Sequence, residues 1–297
     1  MHFLDERITR TPGRELRELL QSGQLILGGG AHDALTARLV EETGYPLCVV
    51  TGAGVSMCRG YPDVGFVTLE EMVANARYIA EAVRIPVIVD ADNGYGNALN
   101  VMRTVREFER AGVAGIHVED QDWPKRCGHM AGKRLVPMAE MVQKIHAALD
   151  ARRDESFVII ARCDALMVEG LEKTLERGEA YVEAGADMLF FEMRESLDEI
   201  KAMANRFRGR IPLHFNHSPS GMVPRLHVDE IHAMGFSTAC FYVHALMAAC
   251  KTMKEVLTEI RQSGNSLSVW DRMVPFEAFW EICRLPEIRD LEKKYGV

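Results

Sequence analysis

The sequence lacks the features that mark several large classes of protein. Its seven cysteines are scattered and odd in number and form no CxxC pair, which argues against a disulfide framework and a structural zinc site. No stretch approaches the roughly 18 consecutive apolar residues of a membrane helix, and the charged first residues lack an apolar signal core. With 35 Lys and Arg against 43 Asp and Glu, the net charge of −8 argues against nucleic-acid binding. We therefore expect a cytoplasmic protein with free thiols.

Other familiar signatures are also missing. There is no GxxxxGK[ST] phosphate loop and no GxSxG nucleophile elbow, and the glycine clusters do not form a dinucleotide fingerprint in the expected context. No Pro- or Ser-rich linker divides the chain. Because 47% of the residues are apolar and 26% are charged, the composition is that of a globular protein. The length of 297 residues suits a single domain covering residues 1–297.

Short apolar runs alternate with longer amphipathic segments along the chain. Most runs are continuously apolar, which is typical of strands buried on both faces of a parallel sheet. The candidate strands are Leu25–Leu27, Leu47–Thr51, Val87–Asp90, Gly115–Glu119, Val158–Arg162, Met188–Glu192, Leu213–Asn216 and Ala239–Val243. This pattern predicts a (β/α)8 barrel, with a doubly wound open sheet as the main alternative.

The clearest helix signal covers residues 68–83. Thr68 and Glu71 have the spacing of a capping box, and apolar residues then recur at helical intervals. A second stripe is formed by Leu171, Leu175 and Val182. The tail, about residues 266–297, is predicted to be a helical extension whose aromatic residues pack on the barrel or on a neighbouring subunit.

Polar residues follow the candidate strands at the same end of each strand. In a parallel barrel these ends share one rim, where the active sites of such barrels form. The pair Asp90 and Asp92, with Glu119 and Asp120 after the next strand, brings several carboxylates toward one point. Because close carboxylates repel, and because all ligands are oxygens, we expect Mg²⁺ or Mn²⁺ there. The alternative is that Asp90 caps a helix and the other acids are solvated.

The segment from Gln121 to Arg134 is longer than the other loops and carries four cations. Cys127 lies between Arg126 and His129, and positive neighbours lower the pKa of a thiol. Long loops over a barrel mouth often act as lids. A plain surface loop is the alternative, but an exposed thiol among cations favours a functional role.

Four stretches together resemble the isocitrate lyase and phosphoenolpyruvate mutase superfamily. They are Thr51–Gly54 with Tyr61–Asp63, then Val89–Gly96, Ile116–Gln121 and Lys125–Met130. The last stretch is similar to the catalytic loop of the lyase branch, which includes methylisocitrate and 2,3-dimethylmalate lyases and oxaloacetate hydrolases. The resemblance implies a barrel, Mg²⁺ and a homotetramer with exchanged C-terminal helices.

The resemblance also implies a role for individual residues. It assigns the catalytic positions to Cys127 as general acid, with His129 and Arg162. It assigns substrate binding to Thr51, Gly52, Ala53, Gly128, Glu192 and Asn216, and Ser218 follows in the same stretch. It assigns the metal site to Asp90, Asp92, Asp63 and Glu119. The general base stays open between Tyr61, Tyr95 and a metal-bound water.

The chain departs from methylisocitrate lyases where they carry a tyrosine and two arginines. Val49 stands at the tyrosine position, Met247 lies near one arginine position and Phe276 near the other. Loss of two guanidinium groups removes bidentate carboxylate partners. We therefore expect a Mg²⁺-dependent lyase that cleaves a 2-hydroxy dicarboxylate to a 2-oxo acid such as pyruvate. An oxaloacetate hydrolase or decarboxylase, for which Ser218 or Ser220 would be suited, a carboxyphosphonoenolpyruvate mutase and a non-catalytic dicarboxylate-binding barrel are the alternatives.

Overall fold

The computed structural model describes residues 11–128, 130–194, 196–221 and 223–297. Its parallel strands follow one another around a closed barrel in chain order, and β1 pairs with β8 to complete the ring. This pairing confirms the predicted (β/α)8 barrel and excludes the open sheet. The strands are β1 (Ile26–Ala31), β2 (Leu47–Val50), β3 (Val87–Asp90), β4 (Gly115–Glu119), β5 (Val158–Cys163), β6 (Met188–Phe191), β7 (Leu213–Asn216) and β8 (Thr238–Phe241).

Helices connect successive strands along the chain, and further helices precede β1 and follow β8. They are α1 (Pro12–Gln21), α2 (Ala34–Glu42), α3 (Gly52–Cys58), α4 (Leu69–Ala82), α5 (Ala98–Arg110), α6 (Met138–Ala151), α7 (Leu171–Glu183), α8 (Leu197–Phe207), α9 (Val228–Ala233), α10 (His244–Ser263), α11 (Phe276–Ile282) and α12 (Leu285–Tyr295). Short 3-10 helices cover Ala165–Met167 and Leu267–Arg272. The helical tail predicted for residues 266–297 is therefore present.

A capping box fixes where α4 begins. The Thr68 side chain accepts the Glu71 N–H, and the Glu71 carboxylate accepts the Thr68 N–H, so the predicted capping box starts α4. The stripe predicted for α7 is only partly buried. Its fully buried face contains Arg177 and Tyr181 instead, because the Arg177 guanidinium finds carboxylate partners inside the protein.

Two apolar layers stabilise the barrel. One fills its interior, where Val49, Ile88 and Phe190 from different strands pack together. The other, larger layer lies between the strands and the surrounding helices. β1 also includes Gly30, where a Cβ atom would come within 1.9 Å of the Tyr242 carbonyl oxygen, so only glycine allows this close approach.

The chain forms two compact units, residues 1–244 and residues 245–297. The first contains the barrel. The second contains nearly all of α10, then α11 and α12, and exposes large apolar side chains such as Trp270 and Phe276. The single domain expected over residues 1–297 stays a prediction. Among the described residues, no helix has the length and apolar character needed to span a membrane.

Candidate active site

Buried carboxylates gather where β3 and β4 end. Asp90 and Glu119 are the last residues of these strands, and Asp92 and Asp63 lie in the loops that follow β3 and α3. All four are at most 5% exposed. The Lys125 ammonium lies among them, with its Nζ atom 2.5 Å from Asp63 Oδ1 and 2.7 Å from Asp92 Oδ1. The structure thus brings together the four acids expected to form a metal site, with a lysine as their counter-charge.

The backbone around Asp90 holds its carboxylate in place. Oδ1 accepts the Asp92 N–H at 2.9 Å, and Oδ2 accepts the Gly52 N–H at 3.1 Å. The His117 Nδ1 atom lies 3.4 Å from Asp90 Oδ1 inside the barrel. Asp92 itself has a positive φ of 46°, an uncommon conformation that turns its backbone toward this carboxylate. Asp90 is therefore fixed in orientation by groups from β4 and from the segments that follow β2 and β3.

The titration behaviour of the cluster shows an excess of negative charge. Burial favours the neutral form of Asp90, but nearby positive charges, those of Lys125 and Arg162 among them, lower its pKa to about 2. Burial and the neighbouring carboxylates raise the pKa of Asp92 to about 6. Burial raises the pKa of Glu119 well above its usual value. One lysine and one arginine thus do not fully compensate these acids, and a further cation would stabilise their ionised forms.

These residues fit a hydrated magnesium ion. Their ligands are carboxylate oxygens, which Mg²⁺ prefers, and Mg²⁺ commonly keeps several waters while binding one or two carboxylates. In the described part of the chain no three acidic, histidine or cysteine side chains converge tightly enough to enclose an ion unaided. The buried Glu119 Oε1 atom has no hydrogen-bond partner among the described residues, so it can accept from a bound water.

Arg162, at the end of β5, joins this cluster to the next strand ends. Its Nε atom lies 2.8 Å from Asp164 Oδ2 and 3.3 Å from Glu119 Oε2, and its Nη2 atom lies 3.0 Å from Glu192 Oε2. Burial alone would lower the pKa of this guanidinium, but the surrounding carboxylates raise it well above its usual value. Arg162 therefore stays charged and provides a fixed positive site beside the carboxylates.

The Cys127 segment lies directly against the arginine. A Cβ atom on Gly128 would come within 2.5 Å of the Glu192 carboxylate and 2.6 Å of the Arg162 guanidinium. The Cys127 N–H donates to the Asp63 carbonyl at 3.1 Å, and its side chain is half-buried. The thiol-bearing residue is thus tied by its backbone to the region of the acidic cluster. His129, expected to complete this loop, lies outside the described residues.

The segment after β2 contacts the same acids. The Gly52 N–H donates to Asp90, and the Ala53 N–H donates to the Thr51 hydroxyl at 3.2 Å. A Cβ atom on Gly52 would come within 3.0 Å of Asp90 Oδ2. Both N–H groups are therefore already paired within the protein, and a substrate that used them would have to replace these bonds.

The remaining predicted binding residues, Asn216 and Ser218, lie at the end of β7 and in the loop after it. The buried Asn216 Oδ1 atom lacks a hydrogen-bond partner in the part of the chain that the structure describes. Ser218 donates its hydroxyl hydrogen to Ser220 at 3.1 Å, which keeps it within its own loop. His214 hydrogen-bonds to Thr238 and Tyr242 at 2.9 Å each, so it is a core histidine whose ring nitrogens are both paired.

The two tyrosines considered as bases differ sharply. Tyr61 is 47% exposed and packs edge-on against Phe66. The Tyr95 hydroxyl is buried, and burial together with the charges of Asp92 and Asp90 raises its pKa well above the usual value. Tyr95 therefore keeps its proton at neutral pH, which suits a hydrogen-bond donor and not a base.

Several residues of the site could not be identified from the sequence. Lys125 and Lys133 turn inward and are at most 7% exposed, whereas Arg126 and Arg134 of the same loop are exposed. The cation-rich loop was visible in the sequence, but nothing in it separates the inward from the outward cations. Asp164 lies after β5, where its position at a strand end was the available signal.

The amino-acid sequence of this chain is similar to those of known enzymes. The chain matches the family model for phosphoenolpyruvate phosphomutase over residues 16–261. It is 43% identical to the 2,3-dimethylmalate lyase of Eubacterium barkeri, over 95% of this chain and 97% of that protein. It is 41% identical to the 2-methylisocitrate lyase of Aeropyrum pernix, over 95% of this chain and 90% of that protein.

Solved structures show the same fold. A crystal structure of 2,3-dimethylmalate lyase, a member of the PEP mutase/isocitrate lyase superfamily, superposes with a TM-score of 0.91 at 34% identity. The match covers 97% of this chain and 96% of that one. A phosphonopyruvate hydrolase in complex with oxalate and Mg²⁺ superposes with a TM-score of 0.89 at 33% identity, covering 97% and 100% of the chains. Both matches extend over nearly the whole chain.

Proposed function

This chain is an enzyme of the isocitrate lyase and phosphoenolpyruvate mutase superfamily and groups with its lyases, and we propose that it is a Mg²⁺-dependent carbon–carbon lyase. Its substrate is a 2-hydroxy dicarboxylate such as 2,3-dimethylmalate, which yields pyruvate and propionate. One observation carries the proposal: the backbone of Gly128, the residue after Cys127, lies against Arg162 and Glu192, beside four buried carboxylates. The 43% identity to a 2,3-dimethylmalate lyase supports it.

The four buried carboxylates are proposed to act, through Mg²⁺, on the hydroxy-acid end of the substrate. Asp90 and Asp92, supported by Asp63 and Glu119, would hold the Mg²⁺ ion. A bound Mg²⁺ would supply Lewis acidity and a template for the hydroxy-acid end of the substrate. Arg162 would bind a substrate carboxylate, because its guanidinium keeps its charge and lies at the rim of the barrel.

Cys127 is proposed as the general acid. When the C2–C3 bond breaks, its electron pair passes to the departing carbon, and the 2-hydroxyl proton leaves to a base. The Cys127 thiol then gives its proton to that carbanion, so atoms and charge balance. Gly128 allows this because it has no side chain to separate the segment from Glu192 and Arg162. His129 belongs to the same catalytic proposal through the resemblance alone.

The apolar residues at Met247 and Phe276 favour a smaller substrate. Methylisocitrate lyases carry arginines near these positions, and each arginine is a bidentate partner for a carboxylate. A tricarboxylate therefore lacks these two charged partners in this chain. We propose a dicarboxylate with an apolar substituent as the substrate and place Thr51, Gly52, Ala53, Asn216 and Ser218 around it.

A substrate panel tests the proposal. The purified protein is incubated with Mg²⁺ and separately with 2,3-dimethylmalate, 2-methylisocitrate and oxaloacetate, and the products are identified by NMR. We expect pyruvate and propionate from 2,3-dimethylmalate. Oxalate and acetate from oxaloacetate as the only products would identify a hydrolase. Absence of turnover on all three would contradict the lyase proposal.

The resemblance also leads us to propose a homotetramer with exchanged C-terminal helices. The apolar side chains exposed on residues 245–297, Trp270, Phe276 and Trp280 among them, support a role for this unit in assembly. We further propose the cytoplasm as the compartment, because the seven cysteines, all within the described residues, form no disulfide bonds.

A further inference from the structure

Lys133 is a buried lysine with two partners inside the protein. Its side chain is only 1% exposed, and its Nζ atom lies 2.8 Å from the Gly128 carbonyl oxygen and 2.8 Å from Asp164 Oδ1. A buried ammonium group is costly unless charged or polar partners compensate it. These two contacts compensate the buried ammonium group. They also join the Cys127 segment to the residue that follows β5.

Asp164 connects Lys133 to the arginine of the site. It is completely buried, and its carboxylate accepts from Arg162 Nε at 2.8 Å and from Lys133. Burial opposes the ionisation of Asp164, but the charges of Arg162 and Lys133 outweigh it and lower the pKa below its usual value. The Asp164 N–H donates to Asp120, so the residue is held on both sides.

The ends of the loop are fixed independently of this lysine. Gln121 and Leu135 form an antiparallel bridge, and the Gln121 side chain binds the backbone of Arg126 through both of its polar atoms. Farther along the loop, the Lys133 ammonium donates a hydrogen bond to the Gly128 carbonyl oxygen. The Cys127 N–H holds one side of this residue to the Asp63 carbonyl, and the Lys133 contact holds the following residue, Gly128, toward the end of β5.

We propose that Lys133 is a positioning residue, which fixes the Gly128 backbone against Arg162 and so places the Cys127 thiol at the reacting carbon. This inference rests on the proposed function for its catalytic meaning, but its structural content stands without it. Lys133 does not touch substrate. Its effect passes through the Gly128 carbonyl, and a displacement of about 1 Å at a reacting group can lower a rate by roughly 10²-fold.

Alkylation of Cys127 tests the positioning without any substrate. The wild-type protein, Lys133→Met, Lys133→Gln and the control Lys173→Met are treated with iodoacetamide, and the modified peptides are quantified by mass spectrometry. Lys173 forms only an exposed ion pair on α7, so its loss should leave Cys127 unchanged. In both Lys133 variants the Gly128 backbone should be released. Iodoacetamide should then alkylate Cys127 roughly tenfold faster than in the wild-type protein.

Kinetics with the best substrate of the panel give a second measurement. In both Lys133 variants kcat should fall by roughly 10²-fold with KM changed far less, because the substrate contacts remain. Lys133→Gln keeps a polar group but is shorter than lysine and uncharged, so it cannot bridge Gly128 and Asp164, and it serves if Lys133→Met does not fold. Wild-type alkylation and wild-type kcat in a folded Lys133 variant would overturn the positioning role. Absence of turnover by the wild-type protein itself would instead overturn the proposed function. The alkylation rates would still test the positioning role of Lys133.

Discussion

The thiol of Cys127 is the residue on which the proposed chemistry depends. Cys127→Ser keeps the size and a hydroxyl donor but replaces a moderately acidic thiol with a very weak acid. We expect kcat for 2,3-dimethylmalate to fall by roughly 10²–10⁴, the usual range for a lost general acid, with KM largely kept. Steady-state kinetics measure this, with the exposed Cys250→Ser as the matched control. Near-normal turnover by Cys127→Ser would show that another group gives the proton.

Asp92 makes metal binding depend on pH. Because its pKa lies at about 6 in the metal-free protein, protons compete with Mg²⁺ below this pH and not above it. The dissociation constant for Mg²⁺, measured by calorimetry, should rise as the pH falls from 7.5 to 5. The rise should be up to about tenfold per pH unit below the pKa, since one proton is displaced.

Asp92→Asn provides the comparison for this titration. The variant should bind Mg²⁺ more weakly at pH 7.5 and should lose most of the pH dependence, because the titrating carboxyl is gone. Asp150→Asn, at an exposed position of α6, should behave like the wild-type protein. Equal Mg²⁺ affinity in the wild-type protein and Asp92→Asn, or full turnover in excess EDTA, would remove Asp92 from the metal site.

The sequence alone identified several residues of the site but not the side chains with which they pair. Asp90 and Glu119 could be identified because each ends a strand, and strand ends share one rim. Lys125 could not, because its inward direction depends on Asp63, a residue 62 positions away. The same limit applies to Arg177, whose burial requires the distant Asp120. Long-range charge pairing leaves no local pattern in a sequence.

At the level of elements, the loop between β4 and α6 approaches the buried charges of the site closely at Gly128. Gly128→Ala would place a methyl group within 2.5 Å of Glu192, which Arg162 holds in place. We expect kcat to fall by roughly 10²-fold, because the segment must shift away from the site. The unfolding temperature should also fall, because Gly128 is buried and the added methyl group would overpack this position.

The control for this prediction is Met130→Ala in the same loop. Met130 is 40% exposed, so truncation should change kcat little. Kinetics and thermal unfolding of both variants make the comparison. If Gly128→Ala turned over at the wild-type rate, the close approach of this backbone to Glu192 would not matter for catalysis.

Helix and strand boundaries followed from local chemistry where that chemistry was present. The box formed by Thr68 and Glu71 predicted the start of α4 because both partners lie within one turn. β1 extends to Ala31, farther than expected, because its glycines carry no side chain that could show a strand pattern. The role of Gly30 is visible only in the fold, where the backbone of Tyr242, just after β8, leaves no room for a Cβ atom.

For the whole molecule, continuous apolar strands predicted a parallel sheet but not its closure. The pairing of β1 with β8 joins segments about two hundred residues apart and decides between a barrel and an open sheet. The assembly was predicted by resemblance alone. If the exposed apolar side chains of residues 245–297 form subunit contacts, sedimentation velocity should show a tetramer of the 33.3 kDa chain.

A variant distinguishes this assembly from a monomer with an apolar surface. Trp270→Glu together with Phe276→Glu would place charges among these exposed side chains, and we expect smaller species at the same concentration. The exposed Tyr78 of α4, changed to Glu, serves as the control and should leave the mass unchanged. A monomer for the wild-type protein at micromolar concentration would contradict the tetramer.

The central claim is that this site cleaves a dicarboxylate and not a tricarboxylate, and the most direct measurement compares the two. The values of kcat/KM for 2,3-dimethylmalate and 2-methylisocitrate are determined on the same Mg²⁺-loaded protein by coupling pyruvate release to lactate dehydrogenase. With Met247 and Phe276 near the positions of two arginines, we expect the dicarboxylate to be favoured by about a hundredfold or more. Comparable values, or a preference for 2-methylisocitrate, would contradict the account and make the protein a methylisocitrate lyase.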